Sequence, residues 1–148
     1  MSGYFKFDIT VNDGVQEASI PVKIVIINED NNRISLTFTN PSNEVNAKKE
    51  AIKELFTEVF ASERWTFNID KIDGPNDQIA KIDGGQTVAK CHFLQTNFEP
   101  VPVGLVEGAI DGVIANISNG LSALNLTLNY KVCNYILRYA KATIFIVK

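Results

Sequence analysis

Cys91 and His92 stand side by side, and a thiol beside an imidazole is a familiar pairing in nucleophilic catalysis. They fall within residues 86–95, where Ala89, Cys91 and Phe93 alternate with Val88, Lys90, His92 and Leu94 in the period of a strand. Neighbours on a strand point to opposite faces, so these two cannot form a hydrogen-bonded dyad with each other. Cys91 therefore reads as a reduced packing residue. The only other cysteine is Cys133, which could bridge to Cys91, or meet His92, only if the fold brings them together.

Asp70, Asp73, Asn76, Asp77 and Asp83 supply oxygen atoms of the kind calcium accepts. Their spacing does not match the helix-loop-helix calcium loop: the glycine is misplaced and no glutamate closes the segment. Asp73-Gly74 and Asp83-Gly84 are good turn formers, and turn chemistry accounts for the acids without a metal. No metal or cofactor is expected. Phosphate-binding loops of the GxxxxGK[ST] and GxGxxG kinds are missing, as is the GxSxG elbow of serine hydrolases. One histidine and two cysteines also exclude a disulfide scaffold and the usual zinc centres.

A different signal lies in Gly104, Gly108 and Gly112, which repeat every fourth residue in a helical segment and form a smooth backbone strip. Glu107 and Asp111 argue against a membrane helix there, so the row reads as a close contact within the chain or with another subunit. The run Ala142-Thr143-Ile144-Phe145-Ile146-Val147 carries no charge. Such a segment must lie centrally in a sheet or be paired by another chain. Gly104, Gly108, Gly112, Ile144, Phe145, Ile146 and Val147 are thus the expected oligomer contacts.

These groups are positioned by strands and helices that can be read in order. Phe5, Phe7, Ile9 and Val11 alternate with polar residues and predict a strand with one face on a core; Ile20, Val22, Ile24 and Ile26 predict a second. Residues 29–32 have hairpin turn chemistry, and Ile34, Leu36 and Phe38 predict a third strand, completing three antiparallel neighbours. A helix is expected from the Pro41-Ser42-Asn43 cap to about Ser62, with strands over 65–70 and 86–95 and a short one between the Asp73-Gly74 and Asp83-Gly84 turns. A second helix is expected over 103–118, ended by Asn119-Gly120. Strands over 124–132 and 135–147 close the chain.

The order predicts an α+β fold: a largely antiparallel sheet of about eight strands with two helices packed on it, or alternatively a β-sandwich with accessory helices. With 148 residues, 45% of them hydrophobic and 21% charged, a single domain spanning 1–148 is expected. Seventeen acidic residues against fourteen basic ones give a net charge of -3, so nucleic acid is not an expected partner. Neither a signal-peptide core nor a spanning apolar stretch is evident, which predicts a soluble cytoplasmic protein without membrane insertion.

The poor catalytic inventory, the glycine row and the uncharged terminal run together suggest a non-enzymatic structural or protein-interaction module that forms a homo-oligomer. The alternative is a domain holding a small apolar ligand between helices and sheet, lined by Phe56, Phe60, Trp65, Phe93 and Tyr130.

Overall fold

The computed structural model describes residues 3–76 and 86–129. The chain opens with a long hairpin, β1 (Gly3–Asn12) paired antiparallel with β2 (Glu17–Ile26). Its turn is built by short polar side chains. Asp13 Oδ1 accepts from the amides of Val15 at 2.9 Å and Gln16 at 2.7 Å, Asn12 Oδ1 accepts from Gly14 at 2.7 Å, and Gly14 supplies a φ of 90°.

Residues 29–32 do not form the expected hairpin turn. Asn28 accepts from the amides of Asp30 and Asn31 and caps a one-turn helix, α1 (Glu29–Asn32), so the chain leaves the first sheet altogether. β3 (Arg33–Phe38) then pairs with β5 (Thr87–Leu94) and not with β2. The result is two separate sheets. One is the β1-β2 hairpin; the other has the order β3-β5-β4, all antiparallel, with β4 running Thr66–Asp73.

The expected helix to Ser62 is broken into α2 (Ser42–Ala47), α3 (Lys49–Val59) and a 3-10 turn (Ala61–Glu63). At Lys48 the backbone departs from helical geometry, its amide bonds back to Val45, and its ammonium donates to the Leu124 carbonyl. A tertiary contact thus interrupts a helix that local pattern would continue. Likewise α4 (Val103–Ala123) runs past Asn119-Gly120, because Ile117 and Leu121 are buried and continuing the helix satisfies that burial.

α3 and α4 pack on each other, and α3 lies on β4. Their apolar residues Ile52, Phe56, Val106, Ile110 and Ile117 meet Ile34, Leu36, Phe38, Phe67, Ala89 and Phe93 of the three-stranded sheet in one core. The fold is α+β with antiparallel sheets, but among the described residues it has five strands in two small sheets and four helices, not eight strands and two helices. Residues 124–129 make a single bridge, Leu128 to Phe38, instead of a full strand. The continuation of that strand, the 135–147 run and the second Asp-Gly turn lie outside the described residues. No helix among the described residues is long and apolar enough to cross a membrane.

Candidate functional site

The β1-β2 register decides which side chains share a face. Phe5 lies opposite Ile24, Phe7 opposite Val22, Ile9 opposite Ile20 and Val11 opposite Ala18. Directly opposed residues in an antiparallel pair project to the same side, so these eight form an unbroken apolar surface. That surface is expected from the sequence to rest on a core. It faces solvent instead: Phe7 is 46% exposed, Ile9 51%, Val11 65% and Ile20 67%.

The opposite face carries Tyr4, Lys6, Asp8, Thr10 and Asn12 beside Val25, Lys23, Pro21, Ser19 and Glu17. Among the described residues, two side chains of this polar side reach the body. The Tyr4 ring stacks on Phe98 at 5.4 Å between centroids, and Lys23 Nζ lies 4.7 Å from the centre of the same ring. Phe98 is presented by a tight loop after β5, where it takes a φ of 66°. The hairpin is therefore held at its base by its polar side, and its apolar side is turned away.

A second constellation sits on the face of the three-stranded sheet away from α3 and α4. Arg33 on β3 lies opposite His92 on β5, and a bulge between Ile69 and Lys71 on β4 brings in Asp70. His92 Nδ1 lies 2.9 Å from Asp70 Oδ2, and Arg33 Nε approaches the same oxygen at 3.3 Å without hydrogen-bond geometry. Arg33 also pairs with Glu29, which receives Lys90 Nζ at 3.2 Å. Arg33, Lys90 and His92 each have an acidic partner inside the cluster. Its evident work is to tie α1 and the start of β3 to β5 and β4. Compared with known proteins, the chain matches no family model and no curated protein.

Cys91 lies on the other side of the same strand, fully buried between Ile34 and Ile69. Burial, and then the nearby Asp70 charge, push its thiol well above the ordinary range, so it stays protonated. Of the oxygen donors considered for calcium, Asp70 is committed to His92, Asp73 pairs with Lys71 at 3.0 Å, and Asn76 Oδ1 receives the Ser42 hydroxyl at 2.7 Å. Asp77 and Asp83 lie outside the described residues.

The aromatic residues considered for a ligand pocket are brought together, ring on ring. Phe60 meets Phe93 at 4.9 Å and Trp65 meets Phe93 at 5.8 Å, while Phe56 stacks on Phe67 at 4.4 Å. Phe56, Phe60 and Phe93 are fully buried in this cluster. Tyr130 lies outside the described residues, as do Ile144, Phe145, Ile146, Val147 and Cys133.

Gly104, Gly108 and Gly112 are exposed along α4, and a Cβ on any of them would meet nothing within 4 Å. Of the two contacts considered for this row, one within the chain is not found among the described residues. It is Gly120 that makes such a contact, where an added Cβ would stand 2.3 Å from Leu55 Cδ1. The hairpin face was missed as an exposed site because alternation reveals that a strand has an apolar side, not what that side rests against.

Proposed function

We propose that this protein is a non-enzymatic structural or interaction module that self-associates, and that the apolar face of the β1-β2 hairpin is the surface through which it does so. The observation that carries this reading is the exposure of that continuous face on a hairpin held to the body by its other side. A two-stranded hairpin is at best marginally stable alone in water, so a long one with a bare apolar side gains by being covered.

A second copy of the chain is the occupant that the surface favours. The face carries no charge, so an identical face brings no like-charge repulsion, and two identical faces satisfy the self-complementarity of a two-fold interface. Ten-residue strands span roughly 33 Å, which with two strands about 4.8 Å apart gives about 320 Å² per copy and about 640 Å² in all. That is below the usual size of a permanent interface and predicts weak, concentration-dependent association.

Light scattering coupled to size exclusion, run as a concentration series into the high micromolar range, tests the proposal. The mass should rise from monomer towards dimer, and Ile9→Asp should hold it at monomer while leaving the circular dichroism of the body unchanged. A wild-type chain that stays monomeric throughout overturns the reading.

A further inference from the structure

We infer that two copies also join their hairpins edge to edge, β1 beside β1 and antiparallel, in the register that sets Lys6 of each copy opposite Asp8 of the other. This rests on the self-association proposed above and goes beyond it, because it uses the backbone edge of the hairpin and not its apolar face.

Which backbone groups reach that edge follows from the turn. The Asp13 amide donates to the Gln16 carbonyl at 3.2 Å, so these two residues, which continue the β1-β2 register, form a hydrogen-bonded pair. Bonded and non-bonded pairs alternate along an antiparallel ladder. Val11, Ile9, Phe7 and Phe5 therefore bond inward to β2, and the amides of Thr10, Asp8, Lys6 and Tyr4 point outward. On β2 the outward positions are Ser19, Pro21, Lys23 and Val25. Pro21 obeys the same parity, since it has no N–H to give the ladder.

The two edges are thus unequal. That of β2 lacks a donor at its middle and carries Lys23 beside the gap, a common means of closing an edge. That of β1 offers the N–H groups of Tyr4, Lys6, Asp8 and Thr10 in a row. Among the described residues only β2 pairs with β1, and β1 is exposed from Phe5 to Asn12.

A second β1 fits this edge by charge. Outward amides must meet outward amides, so the register changes only in whole steps, and Lys6 and Asp8 choose among them. One step towards the base sets Lys6 against Lys6, and one step towards the tip sets Asp8 against Asp8; like charges directly opposite destabilise a sheet. Between these, Lys6 faces Asp8 twice and Tyr4 faces Thr10 twice, so every one of the four outward amides finds a carbonyl. A slip further towards the tip sets Asp8 against Thr10 and leaves Tyr4 unpaired. In the favoured register Phe7 lies beside Phe7 on the other side of the sheet, and Phe5 beside Ile9. The two-fold axis stands perpendicular to the sheet, so both apolar faces lie on one side as a four-stranded surface of about 640 Å². Parallel pairing about a two-fold would instead set the apolar face of one copy beside the polar face of the other.

Residue-resolved hydrogen exchange by NMR on the full chain, run as a concentration series beside the light scattering, tests the pairing. As the mass rises, exchange at the amides of Lys6, Asp8 and Thr10 should slow about tenfold more than at Ser19, Lys23 and Val25. Equal slowing on the two strands overturns edge pairing and leaves self-association standing. Slow exchange at these β1 amides that does not change with concentration gives the edge to the chain's own residues and overturns a second copy as its occupant. A chain that is monomeric at every concentration overturns both readings. For the register, Lys6→Glu and Asp8→Lys should each abolish the extra slowing at the Thr10 amide, and the two changes in one chain should restore it. A double variant that behaves like the single ones overturns the pairing of Lys6 with Asp8.

Discussion

Gly120 and Gly108 stand three turns apart on α4 and play opposite parts. At Gly120 a Cβ would run into Leu55, whereas at Gly108 it would enter open space, so the two alanine substitutions should separate cleanly. Gly108→Ala should stabilise by up to about 1 kcal/mol through helix propensity alone. Gly120→Ala carries the same local gain but must displace Leu55, and should be less stable than Gly108→Ala by about 1–3 kcal/mol in urea denaturation. Equal stabilities would contradict the α3-α4 packing described. Glu107 offers a pH test on the same helix. One carboxylate oxygen is buried without a hydrogen-bond partner, and burial, then the Asp111 charge, raise its pKa above the ordinary 4.5. The fold thus favours the protonated acid. Its contribution is fully present below 4.5 and is lost as pH rises through the raised folded value. Glu107→Gln should therefore be more stable than wild type near neutrality, with the difference in Tm closing as pH falls below 4.5.

At the scale of elements, the hairpin and the three-stranded sheet should differ in how readily they open. β5 is central, with neighbours on both sides and Ala89, Cys91 and Phe93 in the core, so its amides should exchange with solvent hydrogen slowest. β1 and β2 have only each other among the described strands, and in dilute solution their amides should exchange much faster. Raising the protein concentration should slow exchange in β1 and β2 and leave β5 unchanged; slowing in β5 alone would count against association through the hairpin. The strands themselves were plain in the residues, since Phe5-Lys6-Phe7-Asp8-Ile9 alternates without interruption. Their partners were not. Residues 29–32 suit a hairpin turn and a capped helical turn equally, and only the pairing of β3 with β5 decides between them.

For the whole molecule, the described chain divides its apolar residues between a closed core and an open face. The α3-α4 layer and the β3-β5-β4 sheet consume one set, with Phe56, Phe60, Phe67 and Phe93 locked together at the centre. Phe93→Ala should cost about 3–5 kcal/mol by opening a cavity among these rings, measured by denaturant unfolding. Ile9→Asp, which alters an apolar side chain of comparable hydrophobicity on the hairpin, should change assembly and leave the stability of the body almost unaltered. The contrast arises from what surrounds each residue. Sequence alone determined the class of the fold, the alternation of its strands, the amphipathic helices and the separation of Cys91 from His92 across one strand, because these follow from periods of two and 3.6 along a single segment. Which strands pair, where the long helix breaks at Lys48, which glycine is crowded, and that Phe5, Phe7, Ile9 and Val11 meet water were decided only by the tertiary structure. Each depends on groups distant along the chain, and the same apolar stripe satisfies local rules whether a core or a solvent face lies against it.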